Sequence, residues 1–409
     1  MEFQKPDLPL SIKVISVVAK LMNALGLSPT RLDEDSVCTA AQKEAGLTDF
    51  GDSYFRDGLR ELLRSCQQDA DLHPIGRMVV RDMVTNFLIQ RLKLVEVREQ
   101  EPEIFRQPLI PPLIVTGMAR SGTTFLHKLL ASDPANRAIP QWELMRPFPE
   151  RNADPNEPDP RIAKMESALK FRQPMLPGLD SKHALQADAP EECIIPLGIT
   201  FNSLIFPTLF PVKGYMQWYL ENADSSPKYQ EYKWILQVFQ AGEPGQRLTM
   251  KAPAHMGSLG SLMEQIPDAL IIQLHRDPAT CVSSVCSLII TYHQSVSNHV
   301  DISMIADLVL QLYETWLKRN LAFRKRYPDV IYDVYYPSFV SDPVGTVRQI
   351  YSHFDLPWTE AAAASLQATI DRNPKNKHGK HHYSAADFGL TEAAIADRLK
   401  FFYGEVISI

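Results

Sequence analysis

Two rhythms of apolar residues divide the chain. Over residues 1–105 hydrophobic positions recur at three- and four-residue intervals, as in FRDGLRELLRSCQQ (55–68) and GRMVVRDMVTNFLIQRLKLVEV (76–97), which predicts amphipathic helices forming a region packed on the remainder. From Leu113 onward the rhythm changes. Short runs rich in β-branched residues, LIVTG (113–117), RLTMK (247–251), ALIIQLHR (269–276) and VIYDVYY (330–336), are each followed by a helical pattern. Such alternation predicts an α/β domain over residues 106–409, a parallel β-sheet flanked by helices on both faces.

The alternation is interrupted between the first and second of these runs. MRPFPERNADPNEPDPRIAKM (145–165) is rich in proline, asparagine and acids and begins an excursion from the sheet, a helical insertion over residues 150–245 expected on the acceptor side. Its aromatics Phe206, Phe210, Tyr215, Trp218, Tyr219 and Trp234 suit the core of a helical subdomain and equally a pocket for an apolar or ring-containing ligand. The apolar segment LSIKVISVVAKLMNALGL (10–27) carries Lys13 and Lys20 and is too short and too charged for a membrane span, so it reads as an amphipathic helix lying on the body. No stable membrane insertion is expected. Five scattered cysteines without a C-x-x-C pair fit a reducing compartment, and the expected location is cytoplasmic. A net charge of −6 over 409 residues gives no reason to expect a nucleic-acid partner, so any anion must be held by local arrangement.

The candidate for that arrangement is PPLIVTGMARSGTTFLHKLLASDP (111–134): an apolar strand, a glycine-bounded loop and an amphipathic helix. A helix that begins near Ser121 aims unpaired N–H groups at the crevice beyond the strand ends, where ligands of open α/β sheets sit. Gly122 permits close approach of an anion, Thr123 and Thr124 add hydroxyls, and Arg120 supplies positive charge. The lysine of an ordinary phosphate-binding loop is missing, with Thr123 in its place, which weakens a kinase or GTPase reading. A second feature faces the same edge. Arg276 ends the run ALIIQLHR, Asp277 is placed to cap a helix starting at Pro278, and a serine in that helix can add a hydroxyl to the guanidinium.

Taken in order, GMARSGTTFLHKLL, LIIQLHRDPATCVSS and YYPSFVSDPVGTVRQIYSHFDL resemble the sulfotransferases that use 3′-phosphoadenosine 5′-phosphosulfate (PAPS), a likeness running from about Leu113 to the C-terminal end. The resemblance implies the P-loop NTPase-like sulfotransferase fold. It implies that Arg120, Ser121, Gly122, Thr123 and Thr124 hold the 5′-phosphosulfate, that Arg276 and Ser284 (with Ser283 beside it) bind the 3′-phosphate, and that Lys377, His378 and Gly379 of NKHGKHHYS close over that phosphate. It also answers the missing lysine, since a sulfuryl group bears fewer charges than a terminal phosphoryl and needs no metal-and-lysine clamp. No metal is expected.

In-line sulfuryl transfer needs a group to take the acceptor's proton and a cation toward the leaving phosphate. Glu143 stands about twenty residues after the loop, where the tyrosylprotein and bacterial glycolipid sulfotransferases place a catalytic glutamate. His255 resembles the histidine of a K-x-x-x-H segment found in many bacterial members, although the cytosolic pattern sets histidine two residues after the lysine, where this chain has Pro253. Lys251, at the strand's carboxyl edge, is the candidate cation. His378, His381 and His382 lack cysteine or carboxylate partners at ligand spacing and read as part of a basic lid. Arg319, Arg324, Lys325 and Arg326 read as a solvated helix face, with one able to reach the nucleotide. The expected activity is sulfation of a hydroxyl or amine on a small molecule or glycolipid. A small-molecule kinase and a non-catalytic nucleotide-binding module are the alternatives.

Overall fold

In the computed structural model the described residues are 30–150, 156–372 and 384–406, with 14, 18 and 154. Lys377, His378, Gly379, His381 and His382, and nearly all of segment 10–27, lie outside them.

Five parallel strands, β1 (Leu113–Gly117), β2 (Asn136–Arg137), β3 (Arg247–Lys251), β4 (Leu270–His275) and β5 (Ile331–Tyr335), form one sheet in the order β2-β3-β1-β4-β5. The four apolar runs read in the sequence are β1, β3, β4 and β5. β2, two polar residues long, has no apolar pattern to announce it. In β1 every residue is buried, as expected for a central strand covered on both faces. Alternate side chains enter different cores. Leu113, Val115, Ile272 and Leu274 pack with Leu126, Leu129 and Leu130 of the helix after β1. Ile114 and Ile271 join a larger cluster on the other face.

That larger cluster extends far from the sheet. It contains Leu59, Leu62, Val84 and Phe87 of the helices Phe55–Gln68 and Pro74–Gln100, and Phe201, Phe206, Phe210, Tyr215 and Tyr219 of the insertion. The insertion's aromatics are therefore core. Phe206 stacks on Phe201 with centroids 5.6 Å apart and meets Tyr215 edge-on at 5.5 Å. A buried ion pair, Arg91 to Glu231 at 2.8 Å, ties the N-terminal helices to the insertion, and Arg91 also donates to the carbonyls of Phe50 and Asp52. The expected cap is present too: the Asp277 carboxylate accepts from Thr280 N at 2.7 Å, and Pro278 opens helix Pro278–Gln294.

Two of the four residues on the expected solvated face are instead committed inside the structure. Arg324 forks onto Asp333 at 2.6 and 2.9 Å, and Arg319 donates to the Leu220 carbonyl at 2.7 Å. Among the described residues no helix is long and apolar enough to cross a membrane.

Candidate functional site

The loop after β1 is built on backbone that side chains resist. Gly117 (φ 130°), Arg120 (φ 71°) and Gly122 (φ 103°) all lie at positive φ. At Gly117 a Cβ would stand 2.4 Å from the Leu274 carbonyl oxygen of β4, so only glycine lets the loop leave the sheet here. Gly122 caps the helix Thr123–Ser132 without any side-chain cap. The N–H groups of Gly122, Thr123 and Thr124 have no hydrogen-bond acceptor among the described residues, and the Ser121 hydroxyl is buried without a partner. Unspent donors around a concave turn at a helix N-terminus suit an anion.

Two guanidinium groups flank this turn. Arg276 donates from Nη1 to the Arg120 carbonyl at 2.8 Å and lies 4.1 Å over the Tyr336 ring. Arg120 donates from Nε to Ser284 Oγ at 3.0 Å and from Nη1 to the Lys182 carbonyl at 2.9 Å. Parallel pairing of β1 with β4 brings the two strand ends side by side, so Arg120, Arg276 and Ser284, distant in sequence, meet at one edge.

Neither sequence-predicted base reaches the same space. Glu143 is buried, and both its oxygens accept from Arg137 Nη2, at 2.9 and 2.8 Å. His255 is fully enclosed beside the rings of Tyr229 and Tyr232, its Nδ1 at 3.0 Å from the Tyr229 hydroxyl. Burial, helped by the charge of Lys228, pushes its imidazole down to about 3. Lys251 is buried at the carboxyl end of β3, and its ammonium is engaged by Glu192 Oε1 at 2.8 Å.

What does face the loop is a trio from the insertion that sequence reasoning passed over. A cavity of about 1010 Å³ is lined by Arg120, Gly122, Thr123, Thr124, Arg276 and Tyr336, and also by His183, Glu191 and Glu192. Cys193 N donates to the Lys251 carbonyl at 2.9 Å, which pins this segment to the sheet's edge. Glu191 pairs with His183 Nε2 at 2.8 Å. Burial opposes charge on Glu191, but the His183 charge and hydrogen bond outweigh it and hold the carboxyl at about 2. The same attraction raises the His183 imidazole against the opposing effect of burial. Glu192 keeps Oε2 without a partner among the described residues. Two adjacent acids abutting the apolar run Cys193–Ile195 were the one available signal. Beyond the trio the walls turn aliphatic, with Met83, Met165, Leu169, Ile195, Ile205 and Leu209.

A model of the sulfotransferase family matches residues 111–360. The chain belongs to that family. This sulfotransferase is 24% identical over 313 residues, 73% of it and 74% of the relative, to the omega-hydroxy-beta-dihydromenaquinone-9 sulfotransferase Stf3 of Mycobacterium bovis. Among solved structures it superposes on the sulfotransferase STF1 of Mycobacterium tuberculosis with TM-score 0.78 at 30% identity, covering 90% of this chain and 98% of that one. On STF9 of Mycobacterium avium the TM-score is 0.81 at 27% identity, covering 92% and 97%. The fold expected from the sequence, a P-loop-like α/β sheet with helical additions, is the one this sulfotransferase has. Among its described residues no His, Cys, Asp and Glu cluster suited to a metal ion occurs.

Proposed function

We propose that the protein transfers the sulfuryl group of PAPS to the hydroxyl of an elongated apolar acceptor. One observation carries the reading: a single cavity joins the anion-binding turn to an aliphatic chamber, with the open carboxylate oxygen of Glu192 in its wall. Bound PAPS would supply an activated sulfuryl group on a phosphate leaving group. The unspent N–H groups of Gly122 to Thr124 and the Ser121 hydroxyl would hold its phosphosulfate end, with Arg120 adding charge. Arg276 and Ser284 would hold the 3′-phosphate.

Glu192 is better disposed than Glu143 or His255 to take the acceptor's proton, because Glu143 is neutralised by Arg137 and His255 is sealed from the cavity. Lys251, behind Glu192, fixes that carboxylate by one oxygen and leaves the other for the acceptor hydroxyl. The N-terminal helices and the insertion supply the acceptor side, since Val79, Met83, Met165, Leu169 and Ile205 come from them. The name of Stf3 records a relative that acts on an omega-hydroxylated quinone, and an aliphatic chamber here suits an acceptor of that general kind.

Incubation with labelled PAPS and long-chain primary alcohols should yield sulfate esters by mass spectrometry. Glu192→Gln should lower kcat by about 10²–10⁴-fold, the span of general base catalysis, with calorimetric affinity for 3′-phosphoadenosine 5′-phosphate retained. Transfer from ATP instead would favour the kinase alternative. Glu192→Gln turning over like the parent would remove Glu192 from the reaction.

A further inference from the structure

The aliphatic chamber is not uniformly apolar. Arg172, the last residue of helix Pro160–Arg172, lines it together with Arg146 and, from helix Pro74–Gln100, Asp82 and Asn86. Arg172 Nη2 is buried and has no hydrogen-bond partner among the described residues, and the guanidinium is attracted by Asp82 without a hydrogen bond to it. An enclosed guanidinium nitrogen without an acceptor forfeits the solvation it had in water and gains nothing in return. Arg172 belongs to the cavity wall and its guanidinium makes no hydrogen bond among the described residues, a state accounted for when the cavity's occupant brings the acceptor to the group.

The sign of the surrounding charge indicates which acceptor. Two guanidinium groups accompany one carboxylate: Asp82 is the only acid besides Glu191 and Glu192 among the described lining residues. Burial raises the Asp82 carboxyl against the pull of Arg146 and Arg172, and it lowers both guanidinium groups as well. Arg146 is attracted by Glu150 and Glu44 as well as Asp82, whereas Asp82 is the only carboxylate acting on Arg172, leaving Arg172 the stronger candidate of the two. Net positive charge in an otherwise aliphatic enclosure selects an anion carried on an apolar body.

Building on the sulfotransferase reading, we propose that the acceptor is a hydroxylated apolar acid, whose hydroxyl meets Glu192 while its carboxylate pairs with the guanidinium of Arg172, assisted by Arg146. Arg172 then determines specificity, because it engages a part of the acceptor that does not react. Holding one end of a flexible chain also limits which chain lengths bring the other end to the sulfuryl group.

The test uses ω-hydroxyalkanoates and the matching n-alkanols of graded length with PAPS. The parent protein should prefer the hydroxy acid in kcat/KM, with an optimum at one chain length. Arg172→Met should reduce that preference by about 10- to 100-fold, as expected for a lost charge-assisted hydrogen bond, and flatten the length optimum. Arg172→Lys should restore part of it, and Arg146→Met should reduce it less. Binding of a plain alkanoate, followed by calorimetry, should weaken in Arg172→Met by the same factor, a readout independent of turnover. A parent that shows no preference for the acid, or a preference that survives Arg172→Met, overturns the assignment. Sulfation of the n-alkanols judges the underlying reading separately: with no transfer to any alcohol in either series, that reading falls.

Discussion

Gly122→Ala tests the donor site through a chain of contacts that starts at one hydrogen atom. At φ 103° an L-residue is strained whatever the space around it, at a cost of about 1–3 kcal/mol. The added Cβ would also stand 2.9 Å from Tyr336 Cδ2 and 3.2 Å from Cε2, so the ring must move. That ring is the surface on which Arg276 lies, 4.1 Å from its centroid, and a cation–π contact of this kind contributes about 0.5–2 kcal/mol. One methyl group therefore distorts the turn and unseats the guanidinium beside it. Chemical denaturation should show a loss of about 1–3 kcal/mol, and titration with 3′-phosphoadenosine 5′-phosphate should show affinity falling by about tenfold or more, the factor for roughly 1.4 kcal/mol. In the Gly122→Ala/Tyr336→Leu double variant the steric clash is relieved while the backbone strain remains, so stability should recover in part and affinity should not. A Gly122→Ala protein that binds the nucleotide as tightly as the parent would refute the contact chain.

Arg120→Ala should weaken binding of 3′-phosphoadenosine 5′-phosphate by about 1–3 kcal/mol, the scale of hydrogen bonds to charged groups, measured by calorimetry. Arg276→Ala should erase the preference for nucleotides bearing a 3′-phosphate over those lacking it, read by competition binding. His255→Phe should leave kcat within about twofold of the parent and cost about 1 kcal/mol of stability for the lost Tyr229 hydrogen bond. A large loss of kcat with the fold intact would return His255 to the reaction. The His183–Glu191 pair predicts a signed pH profile. Glu191, lowered from 4.5 to about 2, contributes stability above pH 4.5 that is lost as the pH falls toward 2. His183, raised from 6.5, contributes stability below pH 6.5 that is lost as the pH rises through its folded value. Glu191→Gln should flatten both limbs of unfolding free energy against pH.

Where local chemistry and position coincide, the sequence was a good guide. The runs that became β1, β3, β4 and β5 are apolar because a covered parallel sheet demands it, and R-S-G-T-T carries its own backbone requirement in its glycine. Arg276 could be placed at this edge because it directly follows His275, the last residue of β4. The proposed base could not be found the same way. Glu143 was chosen by its distance from the loop, but the partner that occupies it, Arg137, belongs to a two-residue strand with no apolar signature. His255 looked available because spacing conveys nothing about the Tyr229 and Tyr232 rings that enclose it. Glu191, Glu192 and His183 come from an irregular part of the insertion, where no periodicity indicates which way a side chain turns. The bond from Cys193 N to the Lys251 carbonyl and the Lys251–Glu192 ion pair tie the two acids to the sheet's edge. The insertion's aromatics suited a pocket as well as a core; they lie in the core or pack against it, and residues such as Met165, Leu169 and Ile205 line the chamber instead.

The Arg120 guanidinium serves two masters, the Ser284 hydroxyl and the main chain of Lys182. Lys182 immediately precedes His183, and its ammonium also holds Thr291 Oγ1 at 2.6 Å and the Ser287 carbonyl at 3.2 Å, so an anion that drew Arg120 toward the turn would remove one of the ties that position the segment carrying His183. The two substrates are thus expected to sense one another across a shared side chain. Initial-rate kinetics with a dead-end nucleotide should then display compulsory order, and replacing Arg120 should make the order random.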